Sequence, residues 1–402
     1  MNSYSNNGLL IIKSILLGLI FVSGNSYAED AFMDALKNGK VDFNFRLRYE
    51  HVDDDRATLT DNEAEALTAR TALGYKTADF HNVFAYIQFE NITPVIDDDY
   101  NDTQNGKTTL PVIADPSDTE VNQWYFGIKP LDKTIVKVGR QEITPRKAPF
   151  HRFLGNVLWR QNWQTQDAVT ITNTSLKDTK ILAGYIWNNN TIFGTDRDME
   201  APIFNIQYSG FKYGKLEAYY YDFDFTNTAD LANASTTIGG RISGGIPFIN
   251  DKTKFIYAGE YATQSDTGSN PNNYDADYYL FEGGLKTKLD NSLIKSLMAK
   301  VSYEVLESDQ GTQGTVFRTP LATGHAYQGW ADNFLLTPAA GIEDTYFTMV
   351  ATGAYDTKLI VSYQMLEAET GSFDYGDEFD IWLTKKFKKK YTVGLKYAAY
   401  DA

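Results

Sequence analysis

The stretch KVDFNFRLRYE, residues 40–50, decides how this chain is read. Val41, Phe43, Phe45, Leu47 and Tyr49 alternate with Asp42, Asn44, Arg46, Arg48 and Glu50. A period of two is a β-strand with one apolar and one charged face. In a soluble sandwich those faces meet core and water. In an outer-membrane barrel they meet lipid and a wet lumen.

The rest of the chain chooses between these settings. Strand-like segments follow at 65–77, 82–91, 120–128, 134–141, 166–173, 179–187, 202–209, 215–225 and 235–245. They continue at 253–263, 276–287, 296–306, 345–354, 357–366, 378–387 and 391–400, seventeen in all with the first. Most are close to the ~9–11 residues of a tilted membrane-crossing strand. The connections alternate in length: 52–64 is long and 78–81 short, 92–119 long and 129–133 short, 142–165 long and 174–178 short, and so on to 388–390. A sandwich has no reason to gather its long loops at one end, whereas outer-membrane barrels do so. The fold expected is a transmembrane antiparallel up-and-down β-barrel of about eighteen strands, seventeen of them in this chain. Strand parity carries that last inference. Seventeen strands put the two termini at opposite ends, while bacterial barrels normally hold an even number, so a final strand is expected to be missing. The alternative is one strand split in two, making sixteen.

Composition agrees. Tyr, Phe and Trp number 27, 24 and 6, Cys is absent, and the net charge is −15. An acidic chain excludes a phosphate-binding surface for nucleic acid, and zero Cys excludes disulfides and thiolate metal sites. Residues 9–22, LLIIKSILLGLIFV, followed by Ser26-Tyr27-Ala28, fit a signal peptide cleaved after residue 28. The barrel domain is then 29–402, opening on a short amphipathic helix at 29–38. The four histidines, His51, His81, His151 and His325, show no metal spacing, and no nucleophile elbow or phosphate loop is present. No enzyme activity, metal or cofactor is expected.

Several segments resemble the alginate-export family of outer-membrane porins. They are FNFRLRYEHVDDD (43–55), LTARTALGYKT (67–77), ADPSDTEVNQ (114–123) and KVGRQ (137–141). The fullest are FLGNVLWRQNWQTQDAVTI (153–171), NPNNYDADYY (270–279) and TPLATGHAYQGWADNFLLTPAAGIED (319–344). The resemblance implies an eighteen-stranded barrel. It also implies a cationic conduit in the polysaccharide-exporting members, from which the mixed charges here depart.

Two groups of residues are candidates for lining the pore. The loop 142–165 holds Arg146, Lys147, His151, Arg152 and Arg160, a cationic cluster that would favour anions if folded inward. The alternative is that these residues pair with acidic loops or with lipopolysaccharide phosphates. The inward strand faces add Arg46, Arg48, Arg70, Lys76, Arg241 and Lys300 against Asp42, Glu50, Glu90, Glu260, Glu304 and Asp380. Acidic runs at 53–55, 97–99 with Asp102, and Asp115 with Asp118 and Glu120 read as solvated loops. The loop 307–344 carries His325, Tyr327, Trp330 and Phe334 and is expected to plug or cap the barrel. Tyr49, Tyr75, Trp124, Trp187, Trp382 and Tyr397 are expected in interfacial girdles. The expected function is passive passage of small hydrophilic, anionic solutes through the outer membrane, with lipid and lipopolysaccharide as surroundings. An export conduit for an anionic polysaccharide such as alginate, and a non-conducting structural or adhesive barrel, are the alternatives. The oligomeric state stays open.

Overall fold

A computed structural model describes residues 26–402 except 57, 58, 60, 97, 98, 148–151, 157 and 323. The expected leader therefore lies largely outside the described residues. A helix, α1 (Ser26–Lys37), comes first. The strands are β1 (Lys40–Asp53), β2 (Glu63–Lys76), β3 (Val83–Pro94), β4 (Asp118–Ile128), β5 (Thr134–Gln141) and β6 (Thr165–Asn173). They continue with β7 (Thr179–Asn190), β8 (Asp196–Tyr208), β9 (Gly214–Phe225), β10 (Ser235–Phe248), β11 (Asn250–Asp266) and β12 (Asp275–Lys288). The last are β13 (Ile294–Leu306), β14 (Ile342–Gly353), β15 (Thr357–Glu367), β16 (Asp374–Phe387) and β17 (Tyr391–Asp401). No described helix is long and apolar enough to cross a membrane.

Each strand pairs antiparallel with the next, from β1–β2 through to β16–β17. This is the expected up-and-down meander, with seventeen strands in the expected places. One difference is at 188–201. The sequence reads there as a long loop, but Asn188–Asn190 pair with Asp196–Asp198 and shorten it to residues 191–195. The polar asparagines extend the hairpin because their amides bond across it: Asn188 Nδ2 donates to Asp196 Oδ1 at 2.8 Å.

The alternation of residues 40–50 sets the faces. Val41, Phe43, Phe45 and Leu47 are 56–68% exposed on the outside of β1. In β2 the inward residues Ala64, Ala66, Thr68, Arg70 and Ala72 are all buried, while outward Leu73 is exposed. Bulges at Gln88/Phe89 and Ile186/Asn188 shift the parity of the residues beyond them. Trp124 and Tyr397 lie on the outer surface as expected. Trp382 does not. Its even-numbered position on β16 puts it beside Asp380 on the inner face, where it meets Trp330 edge-on at 6.0 Å.

β1 and β17 both run from the short-turn rim to the long-loop rim, so they are parallel, and no ladder joins them among the described residues. Their outward residues, such as Val41 at 68% and Leu395 at 71%, are among the most exposed in the barrel. At the short-turn rim α1 is held by the Tyr75 hydroxyl on Leu36 O and by Ala78 N on Ala35 O at 3.0 Å.

Two substitutions test the faces. Phe45→Arg, in the middle of the outward row, is expected to cost about 2–4 kcal/mol and to impair assembly. Arg46→Ala, one position on and facing inward, is expected to leave the barrel assembled. Heat-modifiable electrophoretic mobility reads both. Reversed behaviour of the pair would mean that the faces are the other way round.

Candidate functional site

The interior is shaped by two long loops folded into it. Residues 142–164 run inward between β5 and β6, and residues 307–341 between β13 and β14. They meet at a short parallel bridge, Leu154 with Leu321, where Gly155 N donates to Leu321 O at 3.0 Å. Phe153, Leu154, Phe317 and Leu321 are buried against inward aromatics of the wall. Tyr219, Tyr221 and Phe223 stack along β9 at 5.2 and 5.9 Å. Phe153 packs on Tyr219 and Tyr278 at 5.4 and 5.1 Å. The plug expected of the 307–344 loop is therefore shared by both loops, and its centre is apolar.

Around this centre the loop arginines reach the wall. Arg146 donates to Glu217 Oε1 at 2.8 Å and to Glu260 Oε1 at 2.6 Å. Arg152 donates to Glu304 Oε1 at 2.9 Å and Gln328 Oε1 at 3.0 Å. Arg160 lies between Glu50 at 3.2 Å and Asp332 at 2.8 Å. All three arginines are under a tenth exposed. Burial opposes the charged guanidinium, but the facing carboxylates override it and raise all three above the usual arginine value. Lys147 is exposed beside them, and His151 lies outside the described residues.

Of the inward strand arginines, Arg48, Arg70 and Arg241 are paired as well, whereas Arg46 bonds Gln161 and loop carbonyls and has no ion pair among the described residues. Arg70 bonds Glu90 and lies 3.7 Å from the Trp163 ring centroid. Arg48 bonds Asp115, and Arg241 bridges Glu260 at 2.7 Å and Glu282 at 3.2 Å. Lys300 also bonds Glu282. Asp115 is thus not a solvated loop residue. It is fully buried, and it also accepts from Gln161 N at 2.8 Å. A loop aspartate and an inward arginine far apart in sequence gave no local signal of that contact.

The tip of the first loop crosses the seam from inside. Arg46 donates to Leu158 O at 2.9 Å and Gln161 Oε1 at 2.7 Å, and Arg48 donates to Trp159 O. From the other side, Lys396 of β17 lies 4.1 Å from the rings of both Trp159 and Trp330. Trp159 stacks on His325 at 4.5 Å, and His325 Nδ1 is 2.6 Å from Asp332 Oδ1. Burial pushes the His325 imidazole down to about 4, against the pull of Asp332. Burial also opposes ionisation of Asp332, but His325 and Arg160 hold its carboxyl well below the usual range.

A second set of cations stands apart from these pairs, and the sequence reading took in only Lys76 of it. By alternation, Lys40 and Lys76 face inward at the short-turn rim, directly opposite each other in register. Lys254 and Lys286 repeat the arrangement across β11 and β12. Lys137, Lys180 and Lys215 continue the band on β5, β7 and β9, and Lys358 and Lys386 on β15 and β16. The lysine ion pairs among the described residues are Lys129–Asp79, Lys252–Asp290 and Lys300–Glu282, so none of these nine has a carboxylate within ion-pair distance there. An open cavity of about 450 Å³ lies in the band, lined by Lys180, Lys215, Asp178, Thr179 and Gln207 among others.

No family model matches the chain, and no curated protein matches it. Solved structures match the fold. OpdK of Pseudomonas aeruginosa, crystallised with vanillate, is 11% identical with a TM-score of 0.67, covering 91% of this chain and 94% of its own. A BenF-like porin from Pseudomonas fluorescens Pf-5 is 13% identical with a TM-score of 0.68 over the same shares. OccD3 (OpdP) of Pseudomonas aeruginosa is 11% identical with a TM-score of 0.62, over 92% and 88%. The fold is thus that of outer-membrane porins. The resemblance to the alginate-export family is corrected: the structural neighbours are Occ-type porins. The longest segments behind that resemblance, 153–171 and 319–344, contain some of the loop residues that fill the lumen, Phe153, Leu154 and Leu321 among them.

His325 gives a signed pH expectation. Its imidazole stays neutral in the fold to about 4 but takes a proton near 6.5 when released. Its contribution is complete above 6.5 and is lost as pH falls towards 4, by about 1–3 kcal/mol. Thermal unfolding of the folded barrel across that range, compared with His325→Gln, measures it. The variant is expected to show a smaller loss on acidification.

Proposed function

We propose that the chain is an outer-membrane channel for small hydrophilic solutes with a preference for anions, exported by a leader cleaved after residue 28. The observation that carries the preference is the lysine band. Like charges directly opposite in a ladder destabilise it, yet Lys40 faces Lys76 and Lys254 faces Lys286. Inward positions at this rim are wet, so such pairs cost little structurally and leave a net positive field. The loop arginines, the first candidates for an anion filter, have their charge balanced by Glu50, Glu217, Glu260, Glu304 and Asp332. They are better read as the pins that hold the constriction in place.

In a barrel of this type the long loops face outward and the short turns face the periplasm. The lysine band then lies at the periplasmic mouth. A conduit for a polymer gains no support, because the apolar centre and the paired loops occupy the interior. That closure is what keeps the non-conducting alternative in play, and conductance separates the two.

Reconstitution in planar bilayers under a salt gradient tests the reading. Steady channels with an anion-signed reversal potential are expected. Lys254→Glu combined with Lys286→Glu should move that potential towards cation preference without changing assembly. Silence from independently verified folded protein would select the non-conducting barrel. Channels with cation preference would keep the channel and remove the lysine band as its filter.

A further inference from the structure

The stretch KKFKKKY, residues 385–391, holds five lysines in seven positions and no acid. It forms the last short turn, between β16 and β17. Elsewhere at this rim several lysines are offset by acids. Asp132 stands beside Lys133 and Asp178 beside Lys177, while Lys129 and Lys252 pair with Asp79 and Asp290. In the last turn no lysine is within ion-pair distance of a carboxylate among the described residues, and that includes Asp356 of the neighbouring turn.

Parity divides the stretch. Lys386 faces inward and belongs to the lysine band. Lys385 faces outward, on the same row as Leu383 and Phe387. Across the ladder that row meets Leu395, Val393 and Tyr391. Apart from Lys385 the row is apolar, and its apolar members are all exposed. Phe387 and Tyr391 close the ladder directly opposite each other. An aromatic pair that ends an outward apolar row marks the membrane interface. Lys388, Lys389 and Lys390 are exposed and lie just beyond that pair, at the level of the lipid headgroups. Lys385 reaches towards the same level. Its ammonium is 4.9 Å from the Phe387 ring centroid and 5.7 Å from that of Tyr355, as a snorkelling lysine would place it.

The turn is costly for the chain alone. It closes through Lys388 and Lys389 at φ of 48° and 60°, and Lys390 N donates to Phe387 O at 3.0 Å. Two successive residues at positive φ favour Asn-Gly. Lysine at both positions adds like-charge repulsion to the backbone cost, and no ion pair among the described residues offsets either. An anion from outside offsets the repulsion. The short turns face the periplasm in a barrel of this type, so the leaflet beside this turn is the phospholipid one. Lysines alone would serve a free anion. The exposed apolar row that ends at the turn suits an anion carrying acyl chains.

We infer that the β16–β17 turn is a docking site for anionic phospholipid, with the headgroup phosphate on Lys385, Lys388, Lys389 and Lys390 and the acyl chains along the outward row. Clustered lysines at a membrane surface attract anionic lipid in this way. The site is separate from the inward band, and its test does not depend on conductance. The folded full chain is released from detergent micelles doped with equal amounts of phosphatidylglycerol and phosphatidylcholine, and native mass spectrometry reads the retained lipid. Preferential retention of phosphatidylglycerol is expected. Lys388→Gln, Lys389→Gln and Lys390→Gln together should lower its affinity about ten-fold or more. If that triple variant fails to fold, Lys388→Gln with Lys389→Gln reads the same loss. Lys254→Gln with Lys286→Gln, inward on β11 and β12, should leave retention unchanged, and an equal loss there would overturn a local site. Equal retention of the two lipids by the wild-type chain overturns the inference, as does full retention by a folded turn variant or displacement of the lipid by equimolar inorganic phosphate. A turn variant that loses co-sedimentation with peptidoglycan while keeping phosphatidylglycerol would overturn it in favour of a polymer partner.

Discussion

In hydrocarbon a peptide group without a partner costs several kcal/mol, and that constraint organises the whole chain. It requires each strand to pair with its neighbours, and the ladder from β1 to β17 does so without a crossover. Pairing in turn fixes the pleat, and the pleat sends every second residue inward. Charged residues therefore accumulate in the lumen because the ladder leaves them no other place. The seam between β1 and β17 is where the constraint is least satisfied, and there the inner loop is most heavily tied down. Arg46 and Arg48 from one side, and Lys396 from the other, hold residues 158–161 across it.

Inside, burial sorts the charges into two kinds. Most arginines that touch the loops are covered, and covering a guanidinium is costly unless a carboxylate is in reach. Arg146, Arg152, Arg160 and Arg70 all have one. Their forked donors satisfy two acceptors at once, which is why a few side chains can hold two long loops against the wall. The stacked Tyr219, Tyr221 and Phe223 give the loops an apolar floor. The lysines at the other rim are a different case. They are exposed or half-covered and have no carboxylate partner among the described residues; Lys215 bonds Gln207, and Lys76 and Lys137 lie over the rings of Phe84 and Tyr125.

The strands were legible because a two-residue period survives in a single sequence. Residues 40–50 and 297–305 show their faces without a partner in view. The loop rhythm was legible for the same reason, as an alternation along one line. The contacts that build the lumen were not. Arg48 meets Asp115, and Arg152 meets Glu304 a full 152 residues away, and such pairs leave no periodic trace. Trp382 was misplaced because an aromatic near a strand end reads as a girdle unless its parity is followed. The lysine band was missed because its members are spread one to a strand, so only their shared height in the barrel gathers them. The resemblance to alginate-export porins drew on strand faces such as 43–55 and 67–77 as well as on loop segments, and the alternation of those faces is common to membrane barrels.

Distance decides what the unpaired lysines can do. At physiological ionic strength a fixed charge is felt over about 8 Å, while neighbouring strands are about 4.8 Å apart. Lysines on adjacent strands, such as Lys40 with Lys76 or Lys254 with Lys286, therefore overlap in their fields. The same screening keeps them from reaching the loop-filled half, where ion pairs are already closed. The largest set of cations left without a carboxylate partner in the described interior therefore stands at the short-turn rim, while the loop-filled half presents closed ion pairs around an apolar centre.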